Sequence, residues 1–191
     1  LKKLTKIVVK ENKEFEHLHQ DEECYIFGNG DSIKYFNLDL FNDKTTFGCN
    51  LLRVHKDFKS LNLNYYVNAA PLLYSPIWRG ASAIEKNPYY KIQTGFKNTG
   101  YVHFVNATNY FFIKDKINFR FIHNFDKHPI SLDYCDFSNS SSFVESALTT
   151  MIGLAIYMGF KKAYLIGCDY FFKPYISGHF WSKSECVVGN Y

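Results

Sequence analysis

The amino-acid sequence predicts an α/β protein: a Rossmann-like, mostly parallel sheet flanked by helices, with a lid or insertion segment. Three observations predict it. The apolar run Cys24–Phe27 breaks into the glycine-rich turn Gly28-Asn29-Gly30-Asp31-Ser32-Ile33, the way phosphate-binding units of α/β folds begin. Three apolar runs each finish at an asparagine: Asn29, Asn50 and Asn68. Late in the chain a helical pattern, a glycine stop and an apolar run follow one another, which is half of a βαβ unit.

Taken in order, residues 1–20 hold a short apolar patch and the charged run KENKEFEHLHQDEE, read as a solvated helix or lead-in. His17 and His19 read there as surface residues. In the turn after the first strand, glycine permits positive φ and close approach of a ligand to the backbone, and Asp31 or Ser32 can cap a short helix. The second strand is Thr45–Cys49, closed by Asn50; the third is Leu63–Val67, closed by Asn68 and Ala69-Ala70-Pro71. Strand carboxyl ends face the ligand crevice of an open parallel sheet, and neutral amides there can bond a base, ribose or phosphate without adding negative charge. The competing reading is that asparagine favours turns in an asparagine-rich chain.

Residues 72–100 lack periodicity and carry Pro76, Gly80, Pro88, Gly95 and Gly100, which suits an insertion, lid or acceptor-binding segment. Tyr101–Val105 and Phe119–Ile122 are further strands. His103, His123 and His128 alternate with aromatics and read as core or edge residues. The clearest helix spans 143–158: Ser142 and Glu145 match a capping box, apolar residues cover most of its surface, and Gly159 stops it. The run Ala163–Cys168, closed by Asp169, completes the pattern.

The 191 residues suit one domain, long enough to bury roughly 70% of the unfolded surface without staples. A chain that is 47% apolar and 19% aromatic is not disordered. The formal charge of +4 is too small and scattered to argue for nucleic acid; it suits anionic substrates or a site near an anionic membrane surface. The five cysteines (Cys24, Cys49, Cys135, Cys168, Cys186) form no CxxC pair, which disfavours a zinc ribbon or disulfide framework. Cys24, Cys49 and Cys168 read as buried thiols, and a reducing cytoplasm is the default compartment. No signal peptide or membrane-spanning run is present in the sequence. A first residue other than Met suggests a longer protein.

Several chemistries are disfavoured. Ile33 stands where GxGxxG needs its last glycine, and GK[ST], GxSxG and HExxH do not occur, which argues against a dinucleotide fingerprint, a P-loop and the common hydrolase and zincin signals.

The order IFGNGDSI, FGCN, YYVNAAP and AIYMGFKKAYLIGCDYFF resembles two related groups. One is the bacterial lipo-oligosaccharide sialyltransferases; the other contains the archaeal MptE-type pterin diphosphokinases and many polysaccharide-locus proteins. The first resemblance implies a metal-independent, inverting transfer from a CMP-activated sugar, such as sialic acid, to a surface glycan. It implies that Asn29, Asn50 and Asn68 hold the nucleotide; Gly28, Gly30, Asp31 and Ser32 of the glycine turn, with Ser146, Gly167 and Asp169, are the further nucleotide-binding candidates. It assigns His179 as general base and Tyr170 and Tyr175 as partners of the leaving phosphate, roles that suit imidazole and phenol. Ser146-Ala147-Leu148 departs from that group's Thr-Ser-Gly, and His179 follows Asp169 more closely than the group's base does. The implied partners are a nucleotide-sugar donor and a glycan acceptor, with no cofactor, no metal and no nucleic acid. Cytoplasmic location with peripheral contact at the inner membrane, and a homo-oligomer, are compatible with it. The second resemblance implies ATP and Mg²⁺, with Asp31 and Asp169, joined by Asp126, Asp133 or Asp136, as the carboxylates such chemistry needs.

Overall fold

The computed structural model describes residues 2–75, 100–123, 135–139 and 146–169. Its centre is six short runs rich in aromatic and β-branched residues: β1 (Glu23–Phe27), β2 (Thr45–Cys49), β3 (Tyr65–Asn68), β4 (Val102–Asn106), β5 (Phe119–Ile122) and β6 (Lys162–Ile166). All five pairings between them are parallel, in the order β5-β4-β3-β2-β1-β6. Every residue of β3 is buried, as expected of a parallel strand covered on both faces. Thr45–Cys49 and Phe119–Ile122 occur as anticipated, the other strands have ends shifted by one or two residues, and the sheet is parallel throughout its described strands. The fold is a Rossmann-like α/β sheet flanked by helices.

Alternation along the strands sends side chains to two cores. On one face Cys24, Ile26, Phe47, Cys49, Tyr65, Val67 and Phe104 meet Met151, Leu154 and Ala155 of helix α2 (Ala147–Tyr157) and its C-cap Met158. On the other, Phe27, Tyr66 and Tyr101 meet Ile33, Leu38, Leu52 and Val54, which come from 3-10 turns at Asp31–Tyr35, Leu38–Phe41 and Leu52–Val54. Short turns can cover this face because the strands are only four or five residues long.

Helix α2 begins later than expected. Ser146 is extended (φ −110°, ψ 133°) and is the N-cap, so the helix starts at Ala147 and not at 143. Ser142 and Glu145 of the expected capping box lie outside the described residues. The expected stop is present: Gly159 has φ +87°, a left-handed conformation that favours glycine.

The N-terminal segment is not a solvated lead-in. Helix α1 (Lys2–Val8) and the 3-10 helix Val9–Phe15 bury Val8, Val9, Asn12 and Phe15. The Asn12 amide donates to Phe121 O (2.8 Å) and Phe137 O (2.9 Å). Beyond it, the N–H groups of His17, His19 and Asp21 donate to the carbonyls of Tyr157, Met158 and Gly159 at 3.1, 2.8 and 3.1 Å, satisfying the orphan acceptors at the end of α2. His17 is exposed, as expected. His19 is not an ordinary surface residue: Nε2 lies 2.6 Å from Tyr65 Oη, Nδ1 lies 2.9 Å from Glu22, and the ring stacks on Phe160 at 4.5 Å. Charged neighbours in sequence hid this contact because its partners lie on β3 and behind α2.

β3 and β4 are adjacent and parallel. Most of the anticipated insertion, residues 76–99, lies outside the described residues, as does His128.

Candidate functional site

All six strands point the same way, so their carboxyl ends share one edge. The chain steps from β1 outward to β5, then returns through α2 to place β6 on the other side of β1. Strand order thus reverses at β1, and in open α/β sheets the ligand crevice lies outside the carboxyl ends at such a switch point. The Gly28–Ser32 turn and the Gly167-Cys168-Asp169 turn occupy that position.

These two turns interlock. Gly28 N–H donates to Ile166 O and Gly30 N–H to Gly167 O, both at 2.7 Å, and Ser32 N–H donates to Asp169 Oδ2 at 2.8 Å. Neither Gly28 nor Gly30 has positive φ. They are glycines for want of room: a Cβ at Gly28 would meet Gly167 O and Cys168 Sγ, and one at Gly30 would meet the Asp169 carboxylate and Gly167 O. Gly167 does need its conformational freedom, with φ +66° and Ile33 Cβ only 2.7 Å from where its own Cβ would stand. The expectation that the turn's glycines serve ligand approach is therefore corrected, since the β6 turn fills that space. The expected cap is corrected too. Gly30 is the N-cap of the 31–35 turn without a side-chain bond, and the capping carboxylate comes from Asp169. Asp31 pairs instead with Lys34 Nζ at 2.8 Å.

The three asparagines stand at the ends of neighbouring strands, and the amides of Asn29 and Asn68 have different described partners. Asn29 Nδ2 donates to Cys49 O at 3.1 Å and lies 3.0 Å from Cys49 Sγ, whose side chain belongs to the α2 face. Asn68 Nδ2 faces His103 Nε2 at 3.2 Å and Tyr74 Oη at 3.4 Å, beside Tyr66 on the opposite face. Asn50 takes a left-handed backbone (φ +48°), and its carbonyl accepts the Tyr66 hydroxyl. The sequence reading missed a fourth strand-end amide, Asn106, although Val105-Asn106 repeats the pattern. Its Oδ1 accepts from Thr108 N (3.0 Å) and Oγ1 (2.8 Å). Nearby, Thr108 Oγ1 accepts from Leu72 N, Asn109 Oδ1 accepts from Tyr74 N, and Asn109 Nδ2 donates to Ala70 O. These bonds tie the β3 loop to the β4 loop.

Burial holds several titratable groups at this edge in their neutral forms. His103 is buried, and desolvation, helped by the positive charge of Arg53, holds its pKa well below 6.5. The ring is therefore neutral, and the Asn68 amide donates to Nε2. Burial pushes the thiols of Cys49 and Cys168 up to about 12 and about 11, so neither is a nucleophile at neutral pH. Asp136 Oδ1 accepts from Ser138 N and Oγ at 2.9 and 2.6 Å. Among the described residues no group of three or more His, Cys, Asp or Glu is placed to hold a metal ion. Ser146 sits at the head of α2, its carbonyl accepting from Thr149 Oγ1 and from Thr150 N and Oγ1. His179, Tyr170 and Tyr175, with Asp126, Asp133 and Cys186, lie outside the described residues.

The fold and the switch-point turns define the class as α/β proteins of Rossmann-like architecture. Comparison of the chain with protein-family models, curated proteins and solved structures returns no match. Among the described residues no helix is long and apolar enough to cross a membrane.

Proposed function

We propose that this chain is a glycosyltransferase that takes a sugar from a nucleotide-activated donor and passes it to a surface glycan. The observation that carries the reading is the coincidence of the glycine turn with the reversal of strand order at β1, the place where open parallel sheets bind nucleotides. The likeness of the GNGDS, CN and VNAAP blocks to bacterial sialyltransferases points to a CMP-linked donor, with His179 as general base and Tyr170 and Tyr175 beside the leaving phosphate, whereas the LIGCD block is nearer to the group that contains the diphosphokinases. In this reading Asn29, Asn50 and Asn68 shape the crevice by tying strand ends and fixing turns, and direct ligand contact falls to the groups above them. Contact with a membrane-bound acceptor at the cytoplasmic face of the inner membrane would accord with the mild positive charge.

Calorimetric titration with CMP-, UDP- and GDP-sugars tests the proposal. Heat from the CMP-linked donor alone is the expected result, and silence from all three would end the reading. The diphosphokinase alternative draws on the closeness of Asp31 and Asp169 to one turn. ATP-dependent modification of a pterin, abolished by chelation, would favour it over glycosyl transfer.

A further inference from the structure

The 3-10 turns that cover the face opposite α2 are tied together by one histidine. His55 follows the Leu52–Val54 turn and is 3% exposed. Its backbone is held on both sides: its N–H donates to Leu52 O at 2.9 Å, and its carbonyl accepts from Phe58 N at 3.0 Å. Ring Nε2 lies 3.2 Å from Ile33 O in the Asp31–Tyr35 turn, and Nδ1 lies 3.2 Å from Asp57 N. A carbonyl only accepts and a backbone N–H only donates, so the ring carries its proton on Nε2 and leaves Nδ1 bare. The imidazolium, a donor at both nitrogens, cannot make this pair of bonds. Geometry thus demands the neutral ring, and burial accordingly lowers its pKa from 6.5.

A second arrangement of the same groups lies close by. Asp57 Oδ2 accepts from Leu38 N at 3.2 Å, and the same oxygen is 3.9 Å from His55 Nδ1. A proton arriving on Nδ1 would set two donors, Nδ1–H and Asp57 N–H, against each other. The carboxylate oxygen is an acceptor of the right charge for the new donor, and moving to it takes the acceptor from Leu38 N–H. Leu38 and Ile33 are fully buried. Ile33 Cβ stands 2.7 Å from where a Cβ on Gly167 would lie, so this layer packs directly against the turn after β6. The charged groups around the ring come from three turns. From its own loop Asp57 raises and Lys56 lowers the ring's pKa, and Arg53 stands in the turn before it. Asp31 and Lys34 of the 31–35 turn pair with each other at 2.8 Å, and Asp39 of the 38–41 turn accepts the Ser60 hydroxyl. On the same face, Tyr66 of β3 is held neutral by burial.

We propose that His55 and Asp57 form an acid-sensitive latch: one proton taken from solvent onto Nδ1 draws the Asp57 carboxylate from the Leu38 amide to the imidazolium and loosens the 3-10 layer against the β6 turn. The two states are alternative hydrogen-bond sets of the same groups. The latch does not depend on which ligand the crevice takes, so its failure would leave the nucleotide reading standing.

NMR titration of the isotope-labelled full chain from pH 7.5 to 4.5 tests it, with D57N and H55Q alongside. At pH 7.5 the ring should show the tautomer protonated at Nε2. As pH falls, Nδ1 should take up its proton with a midpoint below 6.5, and the Leu38 amide and Asp57 carboxylate shifts should follow the same midpoint. Hydrogen-exchange protection of the Leu38 amide should drop roughly 10- to 100-fold across that step, as for loss of a bond to a charged acceptor, while amides of β2 and β3 keep theirs. In D57N, whose side-chain oxygen still accepts from Leu38 but carries no charge, the Leu38 response should vanish; H55Q serves the same comparison if D57N does not fold. A ring protonated on Nδ1 alone at pH 7.5, a ring still neutral at pH 4.5, or a Leu38 amide that ignores the His55 midpoint would overturn the latch. So would a Leu38 response that persists in the folded variants, or loss of protection by all amides together.

Discussion

Replacing Gly30 by alanine tests the interlock of the β1 and β6 turns. Gly30 has φ −72° and ψ 164°, extended backbone that any residue adopts, so alanine there incurs no backbone strain. On chain entropy alone it would stabilise by about 0.4–1 kcal/mol through the unfolded state. Against this, its Cβ would overlap the Asp169 carboxylate and come within 2.8 Å of Gly167 O. Overpacking of this kind costs about 1–3 kcal/mol. If Asp169 swings aside, the Ser32 N–H bond is lost as well, worth roughly 1.5–3 kcal/mol to a charged acceptor and toward the low end because Asp169 is partly exposed. The net expectation is a loss of about 2–3 kcal/mol, or roughly 4–12 °C in Tm for a chain of this size. Urea denaturation followed by circular dichroism, with G30A, D169A and the double variant, measures it. The double variant should lose less than the sum of the singles, because removing the carboxylate removes much of the clash. A G30A protein as stable as the wild type, or one whose effect adds simply to that of D169A, would refute the packing argument.

Four further outcomes follow. Gly159→Ala forces a left-handed helix stop on a residue with a Cβ and should cost about 1–2 kcal/mol, whereas Gly100→Ala, with nothing within 4 Å of the added Cβ, should stay within about 0.5 kcal/mol of wild type; equal effects would discredit the φ assignment. Desolvation lowers the pKa of both His103 and His55, so unfolding takes up protons as pH drops below the unfolded value near 6.5. Stability is thus fully present above that pH and lost below it, by up to about 1.4 kcal/mol per pH unit for each ring. Denaturation at pH 7.5, 6.5 and 5.5 should show this, H103Q should reduce the slope by about one proton, and a slope unchanged in H103Q would count against a neutral buried ring. The thiols of Cys24, Cys49 and Cys168, pushed by burial up to about 12, about 12 and about 11, should resist maleimide at pH 8 until the chain unfolds, as peptide mapping would reveal; ready native labelling would overturn their burial. Asn12→Ala removes two buried donors and should cost about 2–3 kcal/mol by the same urea assay; a neutral outcome would mean that the N-terminal segment is not clamped to β5.

Much of the fold was legible because local sequence and global pattern agree. Thr45–Cys49 and Phe119–Ile122 are strands over the expected residues, and the α2–Gly159–β6 sequence reads as a βαβ half because each signal acts over a few neighbouring residues. The start of α2 was misplaced because Ser142-x-x-Glu145 satisfies a capping pattern, while extended backbone at Ser146 overrides it. His19 looked solvent-facing because its ionic neighbours are adjacent in the chain, whereas Tyr65 and Phe160 reach it only in the folded protein.

By itself the sequence determined the class of fold, the glycine turn after β1 and the alignment of asparagines at successive strand ends. These follow from residue periodicity and turn preference, which are local. Only the tertiary structure decided what those residues do. Asn29, in the turn beyond β1, bonds Cys49, whereas Asn68, at the end of β3, faces His103 and Tyr74. Gly28 and Gly30 yield their space to the β6 turn, and the Asp169 carboxylate accepts the Ser32 amide. Which groups share a pocket depends on strand order and on contacts between residues more than a hundred positions apart, and local preference carries no record of either.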